Sequence, residues 1–556
     1  MNKNSVAFIV SVVMLFGAYA YLSQRHANTT SSDDAQAPVS DGKSPIAEGT
    51  PTATPIAAAP STTSTDESAP IGADFSTEGD VPEGALNTDD LSIKVGSKGG
   101  CVEGITLNNF QIAPASAEPV SLVEKLETCR ALGFKLADAD LRESPARLTA
   151  VSPTKIVIEQ RKDGLHVRRT LGIGPKGYQG HLTIEVHNLR EDKASGLLEV
   201  EIGATSAREG STSFLSFDQS ALRYLSYFAE GKRHETMLTF EKAPAAEVLV
   251  LEPAANIEWA ASGGTYFMLG LSPNFKEPVG LRFERQPFNM QPDRQSPPER
   301  TIYEGWIQHR YAIDPKGSTS WSYDLYLGPK DLGHLQAAGH DLDEAINFGF
   351  FEIVAWPMFK LLKGIERFVG NWGIAIIILT LLIRLLFYPL TAKSYSASKK
   401  MQRLQPQLTE LREKYKDDKA KQQQELMALM SKEGVNPLGG CLPVLPQIPV
   451  FFGLNAVLMH TFELRQAPLG LWIHDLSTHD PYYVSPVIMA LLMFVQQKMT
   501  PMPGMDPAQA KIMRFLPIIF ALFMITYPSG LVVYIVTSTI FSIAQQQVMM
   551  KTFKEA

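Results

Sequence analysis

Residues 373–390 read Gly373-Ile-Ala-Ile-Ile-Ile-Leu-Thr380-Leu-Leu-Ile-Arg384-Leu-Leu-Phe-Tyr388-Pro-Leu390, an apolar run interrupted only by Thr380 and Arg384. Such a run is long enough for a helix that crosses hydrocarbon. Four further apolar runs follow: Leu442–Met459, Tyr483–Met499, Ile512–Tyr527 and Leu531–Ile543. Five closely spaced runs predict an α-helical membrane bundle, a five-helix core within residues 371–556. Pro443, Pro446 and Pro449 puncture the second run. The backbone groups they free need neighbouring helices or water, so the bundle is expected to surround a hydrated space.

Arg384 decides the chemistry of that space. At 1.5 Å per residue it lies ~16 Å beyond Gly373 and ~9 Å short of Leu390. An unpaired charge at that depth costs at least ~2.5–3.5 kcal/mol. None of the five runs contains Asp or Glu, so water is the expected partner. Thr380, Arg384 and Tyr388 are spaced i, i+4, i+8, which puts them on one face of a continuous helix. Gln447 lies among the prolines, Gln496 and Gln497 end the third run, and Ser538, Ser542 and Gln545 form a stripe on the last. Taken singly, each Ser or Thr is expected to bond to its own helix backbone. Taken together with a cation, they read as a hydrated pocket of positive potential.

Loop charge orients the bundle. Residues 391–440 carry ten Lys and Arg, whereas residues 461–482 carry only Arg465. The positive-inside rule places the first segment in the cytoplasm and the second outside. Lys498, Lys511, Arg514, Lys551 and Lys554 then fall inside, so both termini are expected in the cytoplasm. Within 391–440, Met401, Leu404, Leu408, Leu411 and Tyr415 recur at helical spacing, and Leu426, Leu429 and Met430 follow a charged tip. The pattern predicts a cytoplasmic helical hairpin, with Pro406 kinking or starting its first helix.

Upstream, residues 346–370 alternate apolar and charged positions as an interfacial amphipathic helix does. Residues 89–345 change to a period of two: Leu182, Ile184 and Val186 alternate with Thr183, Glu185 and His187. Asp163-Gly164 between two such runs marks a tight hairpin. Many short strands predict a large antiparallel β-sandwich outside the membrane. Between Leu91 and Leu327 the histidines, His166, His181, His187, His234 and His309, are scattered, with no metal-ligand spacing and no nucleophile motif. A binding or spacing module is therefore expected. Residues 23–88 hold ten Asp and Glu against two Lys and Arg and one aromatic residue, the composition of a disordered acidic linker. Residues 1–22 contain the apolar run Val6–Leu22, read as a retained membrane anchor, with cleavage after Ala18-Tyr19-Ala20 as the alternative.

Composition adds exclusions. The 556 residues carry a net charge of -7, which rules out a globally basic nucleic-acid binder. Three cysteines leave no room for a cysteine-based metal cluster. Cys101 and Cys129 form a disulfide only if their Cα atoms approach within about 7 Å. No phosphate-binding loop is present, so no nucleotide is expected. With scattered histidines, three cysteines and no nucleophile motif, no cofactor, metal or catalytic residue is expected either.

Several stretches resemble one family, the YidC membrane protein insertases, related to the mitochondrial oxidase-assembly insertases. They are Phe368-Val-Gly-Asn-Trp-Gly373, Arg384 with Tyr388-Pro-Leu-Thr391, Asn436-Pro-Leu-Gly-Gly-Cys-x-Pro443, Glu463-Leu-Arg-Gln-Ala-Pro468, Leu471-Trp-Ile-His-Asp-Leu476, Asp480-Pro-Tyr-Tyr483 and Pro528-Ser-Gly-Leu531. The resemblance covers about 190 C-terminal residues, with a weaker upstream likeness to the large periplasmic domain of Gram-negative members. It implies a five-helix core around a groove open to cytoplasm and lipid and closed toward the periplasm. Arg384 would receive polar or acidic parts of an incoming membrane protein, and the hairpin would accept that substrate early. The implied groove residues are Arg384, Thr380, Tyr388, Gln447, Gln496, Tyr534, Ser538 and Ser542. Tyr534 is followed by Ile535 where some relatives carry a second tyrosine. The implied partners are newly made membrane proteins, the Sec translocon with its accessory subunits, membrane lipids and, weakly through the cytoplasmic loops, the ribosome. The implied place is the bacterial inner membrane, and the implied activity is insertion and chaperoning without covalent catalysis. Two rivals predict different things. A transporter or channel with an anion site at Arg384 requires solute flux; an exported carbohydrate-processing enzyme requires activity in the isolated β-domain.

Overall fold

The computed structural model describes residues 84–552 apart from 113–115, 124–130, 137–138, 209–222, 238–247, 289–299, 417, 435–443 and 500–506. The anchor at 1–22, most of the linker at 23–88, Cys129, Cys441 and Pro443 lie outside the described residues. Cys101 is disulfide-bonded.

The alternating runs become antiparallel strands in three sheets. The largest has nine strands, and Ser318–Pro329 sits within it between Phe267–Pro273 and Gln179–Asn188. Along Gln179–Asn188, Leu182, Ile184 and Val186 are buried in the expected alternation. Asp163 and Gly164 both take positive φ, 48° and 73°, and close the hairpin between Lys155–Lys162 and Leu165–Ile173. A six-stranded sheet centred on Ala194–Arg208 and Arg300–Ile313 packs over the nine-stranded one. Gly203 permits the approach, since a Cβ there would stand 3.0 Å from Ser262 Oγ. The sandwich is thus as the alternation predicts, with a third, four-stranded sheet beside it.

One boundary moves. Gly84–Asn87 is a strand paired with Leu91–Val95, although it falls within the stretch read as linker. Its four residues offer one large apolar side chain, Leu86, too little for a periodic signal; pairing and full burial of Leu86 hold it.

His309 bridges the two large sheets. Its ring is buried against Phe275, Trp321 and Tyr323 and is hydrogen-bonded to the Tyr323 hydroxyl. Burial pulls it down to about 4, so it folds neutral. A depressed histidine contributes stability that is complete above 6.5 and is lost as pH falls toward about 4. The loss amounts to ~3 kcal/mol at 1.36 kcal/mol per pH unit. Thermal unfolding of the full chain is expected to show this fall between pH 6.5 and 4, and His309→Gln to flatten it.

Ten α-helices follow among the described residues: α1 (Leu332–Ala338), α2 (Glu352–Val369), α3 (Trp372–Leu386), α4 (Tyr388–Arg403), α5 (Gln405–Lys414), α6 (Lys419–Lys432), α7 (Val444–His460), α8 (Val484–Met499), α9 (Pro507–Met524) and α10 (Ser529–Thr552). Helix α2 is the amphipathic segment, burying Ala355, Met358, Phe359 and Leu362 while leaving Phe368 exposed. Helix α10 packs on α3 and α8, α2 packs on α3 and α7, and α9 lies on α8. Helices α5 and α6 form the charged hairpin: Leu404 and Leu408 are buried against Met401, Leu426 and Leu429, and Pro406 opens α5.

The run at 373–390 is not one straight helix. It breaks at Phe387, and α3 and α4 meet at a 53° bend. Pro389 supplies the reason: it has no N–H for the carbonyl four residues earlier and sits in the first turn of α4. Among the described residues, Ser529–Met550 alone is a single helix long and apolar enough to cross a membrane by length and composition. Other runs form apolar helices of 10–17 residues, with Pro449 inside α7 and Pro517 inside α9.

Candidate functional site: a bundle arginine under a polar cap

Helix α3 is positioned from its first turn. Asn371 caps it, accepting a hydrogen bond from Ile374 N at 3.0 Å and donating Nδ2 to Pro468 O at 3.0 Å. Gly373 lets the helix press on Leu469, since any Cβ there would collide with that side chain. Three turns on, α3 presents Arg384 to α10.

Arg384 is half-buried and donates Nε to Ser538 Oγ at 2.9 Å, with Nη2 donating to the same oxygen. No carboxylate pairs with it among the described residues. A guanidinium has five N–H donors, and one hydroxyl occupies two of them. One turn before Ser538 on α10, the Tyr534 hydroxyl accepts from Gln447 Nε2 of α7 at 2.9 Å. Three helices therefore converge through Arg384, Ser538, Tyr534 and Gln447.

Other predicted groove residues are placed differently. Thr380 is 0% exposed and its hydroxyl donates to Ile376 O at 2.6 Å, the local bond expected of a lone Thr. Ser542 does the same toward Ser538 O at 2.9 Å. Tyr388 begins α4 beyond the break and is exposed, so the helix face shared by Thr380 and Arg384 does not continue to it. Gln496 lies half-buried near the end of α8.

Sequence reasoning missed the polar cap at the opposite end of the bundle. Asp480 is buried between Thr461 and Val484 and accepts four hydrogen bonds. Trp472 Nε1 donates at 3.0 Å, Tyr482 N at 3.0 Å, and Ser485 N and Oγ at 2.7 Å each. Asp475 accepts from Gln466 N and from Ser477, while Ser529 at the start of α10 donates to Asp475 O at 2.7 Å. The available signal was the spacing of Trp472, Asp480 and Ser485 around a helix start.

The β-domain docks on this cap. Phe462 meets Phe110 and Phe267 edge-on, and Arg465 and Gln466 donate to backbone carbonyls at Gln111 and Ile112. Lys363 of α2 joins Glu463, at 2.7 Å, to Asp331, at 3.5 Å. The loop from Thr461 to Tyr483 therefore lies on the side of the bundle that carries the β-domain.

Comparison with known proteins accounts for both halves. A family model described as "60Kd inner membrane protein" matches residues 364–556, and one described as "YidC periplasmic domain" matches residues 84–361. A "Membrane protein insertase YidC" of Syntrophus aciditrophicus (strain SB) is 36% identical over 469 residues, covering 81% of each chain. The chain belongs to the YidC family of membrane protein insertases. Another member, from Geotalea daltonii, is 50% identical over 235 residues, 42% of this chain and 44% of its own. A solved structure described as an active YidC insertase with its first transmembrane domain resolved is 19% identical, covers 83% of this chain and 91% of its own, and has a TM-score of 0.37. The two family models meet between residues 361 and 364, inside α2, so the amphipathic helix joins the two parts.

Proposed function

We propose that this chain inserts proteins into the inner membrane and assists their folding, alone or beside the Sec translocon and its accessory subunits. The observation that carries this reading is Arg384, a cation among apolar helices whose hydrogen-bonded partner is a neutral hydroxyl. Among the described residues no further partner occupies its other donors, which can receive a carboxylate or a peptide carbonyl from another chain. In this reading Arg384, Gln447, Tyr534 and Ser538, with Gln496 and Ser542 beside them, line a groove that opens to cytoplasm and lipid, while Thr380, sealed within α3, and Tyr388, beyond the helix break, stand outside it. The cap at Asp475 and Asp480 closes its outer end.

The mechanism needs no bond chemistry. A short hydrophilic tail enters the groove and pairs with Arg384 when acidic, so it never crosses the full apolar thickness. Burial of the substrate's apolar helix in lipid supplies ~25 cal/mol per Å2. For an acidic tail moving outward, the membrane potential adds about 2.3 kcal/mol per charge per 100 mV. The α5–α6 hairpin in the cytoplasm receives the substrate early and offers basic surface to a ribosome.

The test is reconstitution. Purified protein in vesicles is expected to protect the tail of a small single-span substrate from external protease, without nucleotide. Protection no greater than in protein-free vesicles overturns the reading. Deleting residues 92–326 is expected to leave most of this insertion, because the β-domain touches the cap and not Arg384.

A further inference from the structure

The turn from Pro468 to Ile473 carries an unusual residue at its tip. Leu471 is 86% exposed and holds φ at 57°, in the left-handed region that leucine rarely adopts. The turn around it is well made: Leu469 N donates to Ile473 O at 3.2 Å, Ile473 N to Gly470 O at 3.2 Å, and Trp472 is tied to Asp480. In water, Asn or Gly would suit such a tip on both counts, conformation and polarity. A large apolar side chain held there implies an apolar medium around it.

The surroundings identify that medium. Phe368, 90% exposed at the end of α2, lies three residues before Asn371, which binds Pro468 on the other flank of the turn. Trp472, Tyr482 and Tyr483 belong to the same loop, and the two tyrosines are exposed. Apolar tips mixed with Trp and Tyr at the ends of apolar helices are the composition of a membrane-water interface. The turn is also coupled to α3 through the Leu469 contact with Gly373 and the Asn371 bond to Pro468.

We propose that Leu471 is a peg immersed in the lipid leaflet on the β-domain side, and that through Leu469 and Asn371 it sets the depth at which α3 holds Arg384. The proposal rests on the reading of the bundle as membrane-spanning.

The test uses the full chain in phosphatidylcholine and phosphatidylglycerol vesicles, with the native cysteine outside the Cys101 disulfide replaced by Ser and one bimane label at a time introduced by Leu471→Cys, Ile374→Cys or His474→Cys. Nitroxide-bearing lipids are expected to quench the labels at 471 and 374, the former most by shallow nitroxides, while iodide quenches the exposed site at 474. If the label at 374 is quenched by lipid and that at 471 only by iodide, the peg is overturned and the membrane reading stands. If neither responds to lipid nitroxides, the membrane reading fails with it. Quenching at 471 that disappears while emission changes on dilution with excess lipid identifies a second copy as the occupant and also overturns the peg. Leu471→Asn suits the turn's backbone, so the fold is retained; with it, the label at 374 is expected to become severalfold more accessible to iodide. An unchanged label at 374 overturns the depth-setting role.

Discussion

Arg384→Ala is expected to slow insertion of a substrate with an acidic translocated tail by about 10–100-fold, from the ~1.5–3 kcal/mol of a hydrogen bond to a charged group. The same substitution should barely affect a substrate whose tail is short and neutral, because lipid burial of its helix drives that reaction. Arg384→Lys retains the charge but loses the planar fork that grips Ser538 and a carboxylate together, so its rate should fall between the two. Ser538→Ala removes the hydroxyl that orients the guanidinium and leaves the cation in place, predicting a smaller loss than Arg384→Ala. Initial rates of protease protection with matched acidic and neutral tails separate these cases. Equal rates for wild type and Arg384→Ala on the acidic tail would remove the charge-receiving role.

How much of this was readable beforehand depends on the range of the forces involved. Strand alternation at Leu182, Ile184 and Val186 and the Asp163-Gly164 turn are local patterns, and each appears in the structure as read. Of the apolar seam read for the hairpin, Met401, Leu404, Leu408, Leu426 and Leu429 cluster together. The Arg384 charge itself was legible, but the acid-free runs pointed to water as its partner, whereas the guanidinium donates to the Ser538 hydroxyl. Which hydroxyl it would meet was not legible, since Ser538 stands 154 residues away and only the packing of α10 on α3 brings the two together. Thr380 shows the limit of face arguments. It shares a helix with Arg384, yet its hydroxyl is consumed by Ile376 O and its side chain is sealed. At Tyr388 the periodicity hid a proline whose effect falls one residue before the face is complete. The Gly84–Asn87 strand escaped because pairing, not composition, stabilises it.

Asp480→Ala is expected to be among the most damaging single substitutions outside the β-domain. The carboxylate is 1% exposed and serves as acceptor for Trp472, Tyr482 and both donors of Ser485. Removing it orphans four donors where little water reaches; breaking a buried charged hub of this kind costs ~3–5 kcal/mol. The damage should spread, because the loop it anchors also holds the start of α10 through Ser529 and the start of α3 through Pro468. Helix α10 in turn carries Ser538 to Arg384. Burial by itself would raise the Asp480 carboxyl, but the hydrogen bonds from Ser485, Trp472 and Tyr482 outweigh it and hold the group below its ordinary 3.8. A depressed carboxyl contributes stability that is fully present above 3.8 and lost as pH falls through the folded value, so neutral conditions retain all of it. Asp480→Asn keeps one carbonyl acceptor and should lose less than Ala, with its own stability indifferent to pH in that acid range. Thermal unfolding of the reconstituted chain, followed by tryptophan fluorescence, should show a drop of several degrees for Asp480→Ala at pH 7. The gap between wild type and variant should narrow as the pH is lowered below 3.8. An unshifted Tm at pH 7 would mean that the cap does not brace the bundle, and the route from Asp480 through Ser529 to the arginine site would have to be abandoned.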